Sequence, residues 1–275
     1  MDLAGVVDLH LHTGPDVRPR SLDDLEAARA ALRHKLGGVL FKNHHAPSAA
    51  RAAVAQLAVP GAPVYGGVVL NDFVGGLNPS AVEASAALGG RAVWLPTFSA
   101  MNHRRVERLG TDGIALLDSA GKPLPALVRV LELVAEHDLL FSTGHVSADE
   151  VMAVVPLAFE VGVKKVLIQH AEHRVVGLTY DQQRALAARG AHLERCYGDP
   201  LPDGGHAPML TRNVAAIRAV GAASTVLSSD LGQPENPTWP DGYATYLDQL
   251  LDAGISSQDM DVMCRSNPAR LLGLP

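Results

Sequence analysis

The chain has 275 residues, of which 47% are hydrophobic, and it carries a formal net charge of −6. A negative chain without a basic block argues against a nucleic-acid partner, because affinity for the phosphate backbone depends on clustered Lys and Arg. No apolar run approaches the ~18 residues that a membrane span requires. The N-terminus lacks a basic region followed by an apolar one, so we expect a cytoplasmic protein without a membrane partner.

The length is typical of one α/β barrel, and we expect residues 1–275 to form a single domain. Cys196 and Cys264 lie far apart and match no zinc-binding or redox spacing. We therefore expect two ordinary, half-buried thiols. The 12 histidines are the unusual feature of the composition, since several of them fall at the ends of predicted strands.

The first predicted strand is an apolar, β-branched run over residues 5–12 that ends in His10 and His12. Side chains alternate along a strand, so this spacing directs both imidazoles to one face. Gly14 and Pro15 end the strand. We therefore expect the pair at the mouth of a sheet, with a spacing that suits one metal ion.

Further apolar runs alternate with helical sequence along the rest of the chain. They predict strands at residues 39–41, 63–71, 92–96, 139–145, 163–170, 191–196 and 224–229. Strands that alternate with helices form parallel sheets with right-handed crossovers. Eight such units close most simply into a (β/α)8 barrel, the fold class that we predict. An open doubly wound sheet is the alternative, which the lack of a Gly-x-Gly-x-x-Gly turn disfavours.

Two loops have the length to shape a binding site. The insertion after the fourth strand, residues 97–122, is long enough to act as a lid and contains His103. A loop rich in Gly and Pro, residues 197–208, follows the seventh strand. Substrate specificity in barrels is carried by such loops.

Polar side chains fall at the C-terminal ends of separate predicted strands, and a parallel barrel brings those ends to one face. In addition to His10 and His12, the strand-end residues are Lys42, His145, His170 and Asp230. Imidazole and carboxylate are ligands of Zn²⁺, Mn²⁺, Fe²⁺ and Ni²⁺. A lone His-x-His is a weak signal, but these residues together predict a metal site. Lys42 has a second interpretation as an ion-paired side chain at the barrel rim.

Residues in the loops are candidates for contacting a substrate. One of His44 and His45 is expected to face the pocket. The candidate substrate contacts are His45, His103 and His173. The alternative for each is a hydrogen-bonding partner of a ligand or a solvated surface side chain. We expect Glu172 and Glu194 to be structural.

The combined pattern resembles the metal-dependent amidohydrolase superfamily. Residues 10–12 match its first-strand His-x-His, and its later strand-end ligands match His145, His170 and Asp230. Residues 266–274, Ser-Asn-Pro-Ala-Arg-Leu-Leu-Gly-Leu, resemble the Asn-Pro-Ala-x-x-Leu-Gly ending common there. The fourth strand lacks the lysine or glutamate that bridges two metal ions in binuclear members. Lys42 on the second strand is therefore the remaining candidate for a bridge, or else a substrate contact.

The resemblance implies a metal-dependent hydrolase in which Asp230 is the general base and His170 or Lys42 polarises the substrate. The implied substrate is an amide, lactam, lactone or ester of a small molecule, with a phosphoester as an alternative. Decarboxylases of the same superfamily use a similar ligand set with one metal, so a lyase is the second hypothesis. A non-catalytic metal-binding barrel is the third. We expect a divalent cofactor, Zn²⁺ before Mn, Fe or Ni, as one or two ions, and a homo-oligomer.

Overall fold

The computed structural model describes residues 1–200 and 206–275. The loop predicted over residues 197–208 thus lies partly outside the described residues. The strands, in chain order, are β1 (Val7–Leu11), β2 (Gly38–Phe41), β3 (Val64–Tyr65), β4 (Gly67–Val69), β5 (Ala92–Trp94), β6 (Leu140–Ser142), β7 (Val166–Ile168), β8 (His192–Cys196), β9 (Gly198–Pro200), β10 (His206–Pro208) and β11 (Thr225–Ser228). β9 and β10 pair with each other in antiparallel fashion, in a sheet separate from the barrel strands.

Helices follow most of the barrel strands. In chain order they are α1 (Asp24–Arg33), α2 (Ala49–Ala58), α3 (Pro79–Ala87), α4 (Met101–Val106), α5 (Pro125–Glu136), α6 (Ala148–Val161), α7 (Tyr180–Ala188), α8 (Leu210–Val220), α9 (Asp241–Asp252), α10 (Ser257–Asp261) and α11 (Asn267–Leu272). Three of them, α1, α6 and α7, begin with reciprocal capping boxes that satisfy free backbone N–H groups. Among the described residues, no helix has both the length and the apolar character needed to cross a membrane.

The third predicted strand is divided into β3 and β4 by Gly66. A Cβ atom at this position would lie 2.3 Å from the carbonyl oxygen of Ser48, so a side chain does not fit. The backbone of residues 48 and 67 is instead joined by a hydrogen bond from Ser48 N to Gly67 O of 2.8 Å. The strand therefore bends at Gly66 around the start of α2, and the Gly66-Gly67 pair within the predicted strand is the sequence feature typical of such a bend.

The strands form a closed parallel barrel. Hydrogen bonds order them as β1-β2-β3 and β4-β5-β6-β7-β8-β11, and Gly66 alone separates β3 from β4. Where β1 and β11 end, Asp230 N donates to His10 O at 2.8 Å, and His12 N donates to Leu231 O at 2.9 Å. These bonds join β1 to the end of β11. The predicted (β/α)8 barrel is confirmed.

The barrel interior is apolar at the end opposite the strand-end histidines. One buried cluster combines inward-facing residues of the strands, including Trp94, with Leu271 and Leu272 of α11. Leu272 of α11 and Leu274 just after it lie against Gly38 at the start of β2, so this end of the chain covers the N-terminal end of the barrel. Two further apolar clusters fill the space between strands and helices. The strand-end histidines therefore lie at the C-terminal face, opposite this apolar end.

Asp8 secures the seam between β1 and β11. Its Oδ1 accepts hydrogen bonds from Ser229 N at 3.0 Å and His10 N at 3.1 Å, and its Oδ2 accepts one from Trp239 Nε1 at 3.0 Å. Burial raises the pKa of the Asp8 carboxyl to about 6. This side chain therefore has a structural function at the seam, and sequence analysis did not identify it.

We predict that Asp8→Ala lowers the free energy of unfolding by about 3 kcal/mol, because buried N–H donors lose their acceptor. Urea denaturation followed by circular dichroism measures the effect. Asp252→Ala at the exposed end of α9 is the control, with an expected change within about 0.5 kcal/mol. Equal unfolding midpoints for the two variants would contradict the proposed role of Asp8.

Candidate metal centre

Donor atoms of three side chains converge where β1 and β11 end. His10 Nε2 lies 3.2 Å from His12 Nε2, and each of these nitrogens lies 3.1 Å from Asp230 Oδ1. All three side chains are buried. Two ligand atoms that are each about 2.1 Å from one ion are themselves about 3 to 3.5 Å apart. The donor set therefore fits a divalent metal ion.

A larger cluster surrounds this group. His170 Nε2 lies 3.4 Å from Asp230 Oδ2. Four residues each offer one ligand atom that lies within 4.8 Å of the other three. These residues are His10, His170, Cys196 and Asp230. This buried His/Cys/Asp cluster could hold a metal ion.

The expectation of half-buried cysteines is wrong for both residues. Cys196 and Cys264 are 4% and 0% exposed. Cys196 Sγ lies 3.8 Å from His10 Nδ1, and burial raises the pKa of this thiol well above its ordinary value. Cys196 is buried beside His10 because side chains alternate along β8, which points Glu194 and Cys196 to the same side, toward β1.

The backbone at two of these residues is strained. His170 and Asp230 have φ angles of +49° and +52°, in the left-handed region. Residues other than glycine are uncommon there, at a cost of about 1 kcal/mol or more, and such residues cluster at functional sites. Strain at both of these strand-end residues supports a functional constraint on their positions.

Each β1 histidine has a second contact that sets its tautomer. His10 Nδ1 lies 3.2 Å from Glu194 Oε2, and His12 Nδ1 lies 2.9 Å from the carbonyl oxygen of Lys42. Because each Nδ1 faces an oxygen acceptor, it carries the proton, and Nε2 keeps its lone pair for a metal. Glu194, which we expected to be structural, therefore orients a candidate ligand.

Burial keeps most imidazoles of the site neutral. It lowers the pKa of His12 to about 3. It also lowers the pKa well below the usual range for His44, His145 and His170. At His10, burial opposes protonation, but the carboxylates of Asp230 and Glu194 together raise the pKa. Neutral imidazole is the form that binds metal ions, so this environment favours ligation.

Lys42 lies inside the site and not at the rim. It follows β2, its side chain is buried, and its Nζ lies 3.2 Å from His10 Nε2. Burial lowers the pKa of Lys42 to about 8. The end of β5 supplies no comparable cation or carboxylate, and the hydroxyl of Thr97 lies there, 2.8 Å from His44 Nδ1.

The insertion over residues 97–122 is docked on the site through α4. His103 Nδ1 lies 3.0 Å from His145 Nδ1. Asn102 Nδ2 donates to the carbonyl oxygens of His145 at 3.3 Å and Val175 at 2.6 Å. The predicted lid therefore places His103 directly beside a strand-end histidine, whose Nδ1 faces α4.

His44, and not His45, lies at the site. The ring of His44 stacks on His12 with centroids 4.9 Å apart. His45 Nδ1 lies 2.8 Å from Asp16 Oδ1 instead, and His45 is not among the described residues that line the cavity. The predicted contact between His45 and a substrate stays a prediction. The cause of the difference between the two histidines is a turn in which Asn43 Oδ1 accepts from His45 N at 2.8 Å, which directs the two rings apart.

A cavity of about 560 Å³ opens above the donor atoms. His103 and His173 are among the residues that line it, and their contact with a substrate stays a prediction. Sequence analysis missed several lining residues at the mouth, namely Arg18, Arg20, Phe98, Leu109 and Arg174. Arg18 and Arg20 follow the His-x-His strand by a few positions, but a loop has no periodicity from which to predict their direction.

The part of this chain that matches a known family contains most of the site. Residues 5–194 match DUF6282, described as a family of unknown function. The chain belongs to this family. The match includes all the candidate ligands except Cys196 and Asp230. No curated protein sequence matches this DUF6282 protein.

Solved structures share the fold of the DUF6282 protein. A dihydroorotase is 16% identical with a TM-score of 0.63, over 99% of this chain and 71% of its own. An amidohydrolase from Burkholderia multivorans is 16% identical with a TM-score of 0.61, over 99% of this chain and 100% of its own. A 2,6-dihydroxybenzoate decarboxylase is 15% identical with a TM-score of 0.56, over 98% of this chain and 100% of its own. The amidohydrolase fold implied by the sequence motifs is confirmed.

We predict that Glu194→Gln weakens Zn²⁺ binding by the DUF6282 protein about 10- to 100-fold, because His10 loses its charged orienting partner. Competition with a chromogenic chelator measures the affinity. Glu160→Gln on the exposed side of α6 is the matched control and leaves the affinity unchanged. Equal affinities for both variants would show that the contact between Glu194 and His10 does not act on the metal.

Proposed function

We propose that this DUF6282 protein is a metal-dependent hydrolase that cleaves an amide, lactam, lactone or ester bond of a small molecule. The observation that carries the proposal is the convergence of His10, His12 and Asp230 within 3.2 Å at the floor of an open cavity. Histidine and carboxylate ligands that leave coordination positions open are characteristic of catalytic metal sites. A non-catalytic site would instead require a closed coordination sphere.

His10, His12 and Asp230 would hold the ion, with His170 and Cys196 as neighbours, and Zn²⁺ is our first candidate for this donor set. A bound divalent ion lowers the pKa of water toward about 7 and polarises a carbonyl group. Because β5 ends without a bridging carboxylate or lysine, we propose one ion per chain.

Asp230 is the proposed general base. Its Oδ1 faces the β1 histidines, and its Oδ2 faces His170 Nε2 at 3.4 Å. A carboxylate held in this way can take a proton from the attacking water and return it to the leaving group. We propose that His170, at the same strand-end face, holds the substrate carbonyl.

Lys42 supplies positive charge to the same space. Its Nζ lies beside His10 and 5.9 Å from the ring centroid of Trp94, so its ammonium group is fixed between the ligands and an apolar wall. A preorganised cation in a buried site stabilises negative charge that develops on a substrate oxygen. We therefore propose that Lys42 stabilises the transition state and does not bridge two metal ions.

A metal-dependent decarboxylase is the second candidate. It is favoured by the same absence of a bridging residue at the end of β5, which fits a site for one ion. It is also compatible with the fold, since a 2,6-dihydroxybenzoate decarboxylase is among the structural neighbours. The two reactions differ in product, because only the decarboxylase releases CO₂.

We predict that His12→Ala and Asp230→Asn each reduce turnover more than about 100-fold, since one removes a ligand and the other removes the base. His12→Ala also lowers the metal content, measured by plasma mass spectrometry. His137→Ala, at the exposed end of α5, is the control and keeps wild-type turnover. Turnover near the wild-type level in either site variant would contradict the proposed centre.

We further predict that a chelator abolishes hydrolysis in a panel of lactones, esters and amides, and that added Zn²⁺ restores it, because the ion activates the water. Product analysis by mass spectrometry identifies the reaction. Ring opening or release of an amine or alcohol is the expected result. Release of CO₂ from an aromatic or unsaturated acid, without hydrolysis of any panel member, would replace the hydrolase by the decarboxylase.

A further inference from the structure

The mouth of the cavity is lined by three arginines, and two of them are neutralised within the protein. Arg20 binds Asp16, with Nε and Nη2 at 2.7 and 2.6 Å from Oδ2. Arg174 Nη2 lies 2.5 Å from Glu107 Oε2. Arg18 is exposed and, within residues 1–200 and 206–275, forms no ion pair. Arg18 is therefore the arginine of the mouth that no described carboxylate pairs with, although the exposed Glu235 also lines the cavity.

Arg18 is held against the wall of the cavity by an aromatic ring. Its Cζ lies 4.5 Å from the centroid of the Phe98 ring, which in turn packs on His44 with centroids 4.1 Å apart. Stacking uses the face of a guanidinium group and leaves the N–H groups in its plane for hydrogen bonds. A guanidinium fixed in this way is preorganised to bind a planar anion bidentately.

Apolar surface continues from Arg18 toward the floor. Phe98 lines the cavity on one side, and Leu109, which is 58% exposed, lines its mouth from the 97–122 insertion. A large exposed apolar side chain at a cavity mouth is suited to contact with an apolar ligand. At the floor, Lys42 adds a second positive charge near the candidate ligands.

We propose that the substrate is an apolar organic acid whose carboxylate binds Arg18 while its body lies against Phe98 and Leu109. The inference rests on the proposed function for the position of the bond that reacts, over His10, His12 and Asp230. The cavity of about 560 Å³ has a volume that suits such a small molecule. Arg18 is therefore a specificity-determining residue, and an uncharged analogue of the substrate lacks its main anchor.

The test uses benzoate as the carboxylate probe, with benzamide as its uncharged analogue and phenyl phosphate as the alternative anion. Isothermal titration measures binding to the full chain, both as isolated and after removal of metal by a chelator. The variants are Arg18→Gln, Arg18→Lys and the control Arg29→Gln, which changes an exposed arginine on α1 away from the cavity. Melting temperature and metal content are measured for every variant.

We expect the wild-type protein to bind benzoate and Arg18→Gln to bind it about tenfold more weakly, because a charge-assisted bidentate contact is lost. Arg18→Lys, which keeps the charge but not the planar group, gives an intermediate affinity. Benzamide binds weakly to all variants, and Arg29→Gln matches the wild type. Metal content is unchanged in all of them, since Arg18 contacts none of the candidate ligands.

Several results would overturn the inference. Benzoate could fail to bind the wild type, bind equally to Arg18→Gln, or bind no better than benzamide. Tighter binding of phenyl phosphate than of benzoate would replace the carboxylate by a phosphate. These outcomes are distinct from failure of the proposed function. In that case the protein would bind no metal, but the metal-free protein would still bind benzoate through Arg18.

Discussion

The pairing of the first barrel strand with the last is the interaction on which both the fold and the candidate metal centre depend. The bond from Asp230 N to His10 O closes the barrel, and it also places the Asp230 carboxylate 3.1 Å from two imidazole nitrogens. Asp8 strengthens this seam through Ser229, which lies 221 positions away in the chain. The site therefore forms only when the whole barrel has folded.

Concentrating polar groups at the seam has an electrostatic consequence. Most of the buried imidazoles remain neutral, because desolvation and neighbouring positive charges lower the pKa of residues such as His145 and His170. The buried carboxylates of Asp230 and Glu194 then face Lys42 as their nearby cation. A divalent ion would compensate this negative charge. Because the ion would bind only the folded state, its binding would stabilise the fold. Under the proposed function, a bound metal would therefore stabilise the fold as well as take part in catalysis.

Sequence patterns predicted the barrel and its strand-end residues because strand alternation is regular and parallel strand ends share one face. The same rule applied to β8 points Glu194 and Cys196 inward together, so the sequence held a signal for both that was not used. It held none for the choice between His44 and His45 or for Arg18. Those positions depend on backbone contacts and turns that have no periodicity. Cytoplasmic location and homo-oligomerisation stay predictions.

The central claim is that His10, His12 and Asp230 together bind one divalent ion. Anomalous diffraction at the Zn absorption edge, from crystals of the wild-type protein grown with Zn²⁺, tests it most directly. We predict one strong peak about 2.0 to 2.2 Å from His10 Nε2, His12 Nε2 and an Asp230 oxygen. An absence of anomalous density among these atoms, or ions bound only elsewhere on the protein, would contradict the account.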